Sequence, residues 1–283
     1  MPPQSRPPSH LDIIGVQNST RAPVLFLHGL FVGAWVFDDI RPLVALRGHP
    51  AAALSFRGHP PLAPSNELGT FSIADYCDDA ADAARVLNRP IVIGHSLGGL
   101  VALMLASRGL VRAAVLVSPA PPRGISVMSP AILTRMVSYL AALLFSRPFL
   151  PSDAHLDALV LNRVAVDGRP ALRARFVADS GRAAREAALG VIKVPAPSIR
   201  VPMLVIGAEH DHFIPLSVAN RVARKYSVPL HVARGHGHFL FAEPGWQHEA
   251  AVILDWIDGL PEEIRCASVD DDAAPSPTNS PTG

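Results

Sequence analysis

Between about Leu11 and Arg265 the chain repeats one pattern, a short apolar run bounded by turn residues and followed by a longer helical stretch. The runs are Val24-Leu25-Phe26-Leu27, Ala51 to Leu54, Ile91-Val92-Ile93, Ala113 to Val117, Met203 to Ile206 and Leu230 to Ala233. Runs this short, with His231 the one polar residue among them, predict strands buried on both faces, as parallel strands are. Strands alternating with helices predict a doubly wound, mostly parallel α/β sheet and exclude an all-helical or sandwich fold. The helix ahead of the third run is well specified. Ser72 stands where an N-cap is needed, Asp75 at the acid position of a capping box, and Ile73, Cys77, Ala80, Ala84 and Leu87 recur at spacings of four and three. Ligands of such sheets bind at the carboxyl ends of the strands, so the loops there carry the function.

The alternation breaks between Pro119 and Pro202. Helical periods follow one another there without an intervening strand, at Ile132 to Phe145, Asp153 to Val164, Ala171 to Val177 and Ala183 to Ile192. Four in succession exceed one crossover, so residues 121–199 are expected to form a helical cap inserted into a core of residues 21–120 and 200–265. The Pro-rich start, residues 1–20, and the polar finish, residues 266–283 with Asp270-Asp271-Asp272, are expected to be disordered tails.

Composition narrows the partners. Of 283 residues 49% are apolar, ample for a core, and 25 basic against 24 acidic residues leave a formal charge of +1. No global field therefore favours nucleic acid or an anionic surface, and no basic stripe is interleaved with aromatics, so nucleic acid is not an expected partner. The longest apolar stretches fall well short of the roughly 18 residues needed to span a bilayer, which argues against stable membrane insertion. Residues 1–8 lack the apolar segment of a secretory signal, and Cys77 and Cys266 form no C-x-x-C pair, so the expected compartment is cytoplasmic.

The chemistry begins at Gly94-His95-Ser96-Leu97-Gly98-Gly99, a G-x-S-x-G motif between the third apolar run and the helical Leu100-Val101-Ala102-Leu103-Met104-Leu105. A serine at so tight a strand-to-helix turn is held strained with its hydroxyl exposed, and the glycines let the two backbones approach. Ser96 is therefore the candidate nucleophile, with the N–H of Leu97, the next residue, as one donor to a developing oxyanion. A serine hydroxyl needs a positioned base and a carboxylate behind it. Downstream, Gly207-Ala208-Glu209-His210-Asp211-His212 offers two acids after a strand, and Gly235-His236-Gly237-His238 offers two histidines after the next.

With His28-Gly29-Leu30 after an early strand, Arg57-Gly58-His59 after the next, and Glu243-Pro244 beyond His238, the chain resembles the α/β-hydrolase superfamily over about Ala22 to Ile257, in particular its cap-bearing, cofactor-free esterase branch. The resemblance implies an α/β-hydrolase sheet with an inserted helical cap and no cofactor. It places the catalytic acid at Asp211, the last residue of Gly207-x-x-x-Asp211, with Glu209 the weaker alternative. It places the base at His238, with His236 a neighbour in contact with the catalytic groups or the substrate, and a second oxyanion N–H at Leu30. Phe31, Trp35, His95, Met136 and Tyr139 are expected at the substrate pocket, although large aromatics also fill cores. His95 is expected to orient the turn. His59, beside proline where relatives continue differently, faces the substrate entrance or is a structural or solvated turn residue.

Two rivals remain open. The histidines clustered late in the chain raise metal-assisted hydrolysis, but no H-E-x-x-H or equivalent ligand set occurs and no metal is expected. A fold of this kind also serves ligand binding without turnover. The reading that follows is a serine hydrolase of carboxylic esters acting on small to medium apolar substrates through an acyl-enzyme on Ser96. A thioesterase, a lactonase, a cofactor-free perhydrolase or a slow ligand-binding protein are the alternatives. The expected partner is a small-molecule ester, and a homodimer stays open.

Overall fold

The computed structural model describes residues 7–15, 19–127, 132, 134, 135 and 137–266. Its centre is a seven-stranded sheet of β1 (His10–Ile14), β2 (Val24–Leu27), β3 (Ala51–Ser55), β4 (Ile91–His95), β5 (Ala113–Val117), β6 (Met203–Ala208) and β7 (Leu230–Ala233), in the order β1-β3-β2-β4-β5-β6-β7. All neighbours are parallel except β1 and β3. The order reverses about β2. The chain leaves β2 toward β3 on one side and returns to β4 on the other, which opens a crevice at the carboxyl ends of β2 and β4.

The central strands are buried on both faces, and their residues sort strictly by parity. Leu25, Leu27, Ala52, Leu54, Val92, Ala114 and Leu116 face a core shared with α2 (Ile73–Val86), α3 (Leu97–Ser107) and α8 (Leu216–Tyr226). Val24, Phe26, Ala51, Ala53, Ile91, Ile93, Ala113 and Val115 face a second core with α1 (Arg41–Leu46) and α9 (Trp246–Asp258). This is why the runs read as uniformly apolar. Helix α2 starts as its sequence predicts. The Asp75 N–H donates to Ser72 Oγ at 3.1 Å and the Ser72 N–H donates to Asp75 Oδ2 at 2.8 Å, the reciprocal pair of a capping box.

Strand β1 corrects the expectation of an N-terminal tail over residues 1–20. His10–Ile14 pairs antiparallel with the whole of β3, and Arg41 meets Asp12 at 2.8 Å. Its residues are mostly exposed, because an edge strand is held by backbone hydrogen bonds and needs little apolar signal. The Pro-rich residues ahead of it masked what pattern there was. At the other end, Cys266 still bridges Arg21, and the expected tail beyond it lies outside the described residues.

Between β5 and β6 the described residues hold helices and no sheet strand: α4 (Leu140–Leu144), α5 (Asp153–Leu159), α6 (Arg169–Arg173) and α7 (Gly181–Leu189). They are shorter than their periodicity predicts. Ser152 and Ser180 cap α5 and α7 with their hydroxyls, and Gly190 ends α7 in a left-handed conformation. Phe149 and Asp179 join the intervening loops by an isolated antiparallel bridge. A third apolar cluster, with Phe31, Val32, Leu156, Leu161, Val164, Phe176 and Phe239, lies where this insertion meets the loops at the sheet's carboxyl edge. No described helix is long and apolar enough to cross a membrane.

Candidate active site

Ser96 sits between β4 and α3 with φ 54° and ψ −118°, a conformation that few residues other than glycine adopt. Its neighbours make the turn sterically obligatory. A Cβ on Gly94 would stand 2.2 Å from Gly98 O, and one on Gly98 would stand 2.1 Å from Leu27 O. The backbone of Ser96 is pinned to β5, since its N–H donates to Val117 O at 2.9 Å and its carbonyl accepts from Ala120 N–H at 2.9 Å. The strain is thus held by the sheet rather than relaxed.

Two later loops converge on that hydroxyl. His238 Nε2 lies 3.1 Å from Ser96 Oγ, and His238 Nδ1 lies 2.8 Å from Asp211 Oδ2. Asp211 is buried, and its Oδ1 accepts the N–H groups of Phe213 at 2.9 Å and Ile214 at 2.7 Å, which aims Oδ2 at the imidazole. Because a carboxylate only accepts, His238 Nδ1 carries the proton and donates it. Nε2 is then the free acceptor for the Ser96 hydroxyl. Glu209, the other candidate acid, takes the Gly235 N–H at 2.9 Å on the surface and does not reach His238. A hydroxyl, an imidazole and a carboxylate in this sequence of contacts can deprotonate a serine as it attacks a carbonyl carbon.

The flanking histidines hold this arrangement. His95 Nε2 donates to the His238 carbonyl at 2.8 Å, and its pKa is pushed down to about 3 by burial, with His238 next to it. His95 is therefore a neutral strut, as its place in the turn suggests. His236 is buried with Nδ1 3.2 Å from Glu243 Oε2, which also accepts the Gly237 N–H at 2.6 Å. Glu243 thereby clamps the loop that carries His238. Burial pushes its carboxyl above the ordinary range. The turn after α5 adds two further ties to the loops: Asn162 Nδ2 donates to His210 O at 2.9 Å, and Arg163 Nε donates to Gly235 O at 2.8 Å. Of the other late histidines, His212 meets Ala158 O, and His231 meets Glu249, whose second oxygen lies 3.9 Å from His236 Nε2. Among the described residues no group of three or more His, Cys, Asp and Glu is arranged to hold a metal ion.

Above Ser96 opens an apolar cavity of about 120 Å³, floored by Gly29, Leu30, Ser96, Leu97 and His238 and walled by residues of the insertion such as Leu156, Val160, Phe176 and Ala187. Of the residues expected at the pocket, Phe31, His95 and Tyr139 line it. Trp35 does not. Its ring backs the wall through Phe176 and Phe239, at centroid distances of 6.3 and 6.0 Å, and stacks against Arg175 at 4.0 Å in a separate open groove. The 3₁₀ turn Ala34–Phe37 carries it away from the nucleophile. Met136 lies outside the described residues. Among the described residues the N–H groups of Leu30 and Leu97 take no backbone partner, and both residues border the cavity at Ser96.

The loop bearing Leu30 is locked from several sides. His28, fully buried, donates from Nδ1 to Gly29 O at 2.7 Å and accepts the Phe56 N–H on Nε2 at 3.2 Å. Burial, with His59 nearby, pushes its pKa down to about 3. The Phe31 N–H donates to Asp179 Oδ2 at 2.8 Å. Asp179 also takes His59 Nε2–H at 3.0 Å, Tyr76 O–H at 2.7 Å and the Ser180 N–H at 2.6 Å. His59 is thus fully buried, which fits the structural expectation and corrects the solvated and the substrate-facing ones. Burial would discharge both members of the His59–Asp179 pair, but their mutual attraction outweighs it, so the imidazole's pKa is raised and the carboxyl's lowered. Asp179 and Tyr76 were not foreseen from sequence. They lie 148 and 45 positions from Phe31, and no local motif ties them to it.

A model of the alpha/beta hydrolase family matches residues 24–250. Esterase PIR7B of Oryza sativa subsp. japonica is 33% identical over 114 residues, which are 38% of this chain and 42% of the rice protein. The chain thus spans less than half the length of that curated relative. Among solved structures, the monoacylglycerol lipase of Paleococcus ferrophilus superposes with a TM-score of 0.70 at 19% identity, over 88% of this chain and 98% of the lipase. The enol-lactonase of Burkholderia xenovorans LB400 does so with a TM-score of 0.68 at 20% identity, over 88% and 96%. At such identities these two similarities speak for the fold alone.

Proposed function

The chain belongs to the alpha/beta hydrolase family, and on that premise we propose that it is a serine hydrolase of carboxylic esters with an apolar acyl or alcohol group. The observation that carries the proposal is the unbroken contact chain from Ser96 Oγ through His238 to Asp211, at 3.1 and 2.8 Å, on the floor of an apolar cavity. An ester enters between the sheet and residues 121–199, which act as a cap. Ser96 Oγ attacks the carbonyl carbon while His238 Nε2 takes the hydroxyl proton, and Asp211 stabilises the resulting imidazolium. The carbonyl oxygen, now negative, is met by the N–H groups of Leu97 and Leu30. As the C–O bond to the alcohol breaks, His238 returns the proton to the departing oxygen and leaves an acyl group on Ser96. Water, deprotonated by His238, then attacks the acyl carbon and releases the carboxylic acid and free Ser96.

The cavity wall is almost wholly apolar, so selectivity rests on chain length, at about 0.8 kcal/mol for each buried methylene. Turnover of p-nitrophenyl esters from acetate to decanoate tests the proposal. We expect kcat/KM to rise over the first few added carbons and to fall once the chain outgrows the cavity. A flat profile at the level of Ser96→Ala would refute it. A thioester and a lactone in the same panel rank the other acyl donors that this chemistry serves.

A further inference from the structure

Resting on the reading above, with the Leu30 N–H as an oxyanion donor, we propose that Asp179 is a positioning residue through which the cap holds that donor in its working direction. The Leu30 N–H shares a peptide plane with the Gly29 carbonyl, which His28 holds at 2.7 Å. The next two planes are held from the cap side: the Phe31 N–H, in the plane that follows, donates to Asp179 Oδ2 at 2.8 Å, and the Phe31 carbonyl, one plane further on, accepts from the Val177 N–H at 2.9 Å. Phe31 needs that hold, because its φ of 68° is one that a bulky residue rarely adopts unless its surroundings impose it.

Asp179 is itself over-determined. It is 1% exposed, it is fixed at its backbone by the two bonds of its bridge to Phe149, at 3.1 and 2.9 Å, and its two oxygens accept from Phe31, His59, Tyr76 and Ser180. His59 supports the charge. Its Nε2 faces Asp179 at 3.0 Å and its Nδ1 faces the Arg57 carbonyl at 3.1 Å, both acceptors, so both ring nitrogens donate and the imidazole is cationic. An amide cannot replace this carboxylate. Whichever way an Asn side chain turns, its NH₂ confronts donors, either Phe31 N–H and His59 or Ser180 N–H. One consequence is that a displaced cap would free Phe31 and misdirect Leu30, so the oxyanion donor is complete only when the cap is seated.

The test compares wild type with Asp179→Asn on a p-nitrophenyl ester and on a trifluoromethyl ketone. The ketone's tetrahedral adduct with a serine carries an oxyanion, whereas substrate binding needs none. The expected result is a kcat about 10–100-fold lower with KM within twofold, and ketone inhibition weakened by a similar factor. A merely structural role would instead leave the ketone constant of the folded fraction unchanged. Tyr76→Phe removes one donor to the carboxylate and leaves its charge, so it serves if Asp179→Asn does not fold, with an expected kcat loss of about 3–10-fold at constant KM. Folded variants with kcat and ketone inhibition within twofold of wild type would overturn the role of Asp179 alone. A wild type that neither turns over esters nor binds the ketone would overturn the hydrolase reading, and the role with it.

Discussion

A serine hydroxyl becomes a nucleophile only if its proton has somewhere to go, and around Ser96 that requirement is met by orientation. Asp211 is aimed by two backbone N–H groups, it aims the His238 proton, and His95 holds the His238 carbonyl. Asp211→Asn keeps the shape but presents His238 with an NH₂ that favours the wrong tautomer. It should lower kcat by about 10⁴-fold with little change in KM, measured on the preferred ester. A loss under tenfold would mean that Asp211 does not set the tautomer. Ser96 and Leu97 were legible because G-x-S-x-G is a short motif at a strand's end, whereas the residues alone offered two acids and two histidines, between which the resemblance chose the Asp211 and His238 that the structure links to Ser96. Trp35 was misread because an aromatic near the Leu30 loop looks the same whether it faces the cavity or backs its wall. Asp179 and His59 were illegible as partners because their contact spans 120 positions and needs the insertion between β5 and β6 folded back on the loops of the sheet.

At the scale of elements, the turn from β4 into α3 is set by how closely backbones approach. Gly98 faces Leu27 O, where an added Cβ would stand at 2.1 Å, whereas at Gly168 the nearest neighbour of such a Cβ is Val164 at 3.9 Å. Gly98→Ala should therefore cost about 3 kcal/mol or more of stability, since rigid backbone must move. Gly168→Ala should stay within about 0.5 kcal/mol. Chemical denaturation of the two variants checks the contrast, and equal effects would mean that the turn is looser than the geometry states. The buried strands and α2 were readable for a related reason. Uniform apolar runs and a complete capping box are local signals, and they place the elements that carry Ser96. The edge strand β1 and the short helices of the insertion were harder, because backbone pairing, serine caps and prolines rather than long apolar periods set their limits.

For the whole molecule, the buried histidines couple stability to acid. His28 and His95 stay neutral in the folded protein down to about pH 3, chiefly because burial penalises their charge, whereas an unfolded histidine protonates near 6.5. Below 6.5 the unfolded chain therefore binds two more protons at these sites. Their contribution to stability is complete above pH 6.5 and is lost as pH falls toward 3, at about 1.4 kcal/mol per pH unit for each histidine. His59, with its raised pKa, is protonated in both states over that window and adds no slope. Burial also lowers the pKa of His49, which adds to this slope, and raises that of Glu243, which opposes it. The free energy of unfolding should still drop by about 2–3 kcal/mol between pH 5.5 and 4.5, and a constant value there would contradict the burial of the His28 and His95 rings. The insertion, the sheet and three loops all meet at one hydroxyl, so the most direct measurement asks whether that hydroxyl is activated. The folded protein is treated with a fluorophosphonate probe and the labelled peptide is located by mass spectrometry. The account predicts stoichiometric, covalent labelling of Ser96, absent in Ser96→Ala and slowed in Asp211→Asn. A folded wild type that remains unlabelled, or is labelled elsewhere, would contradict it.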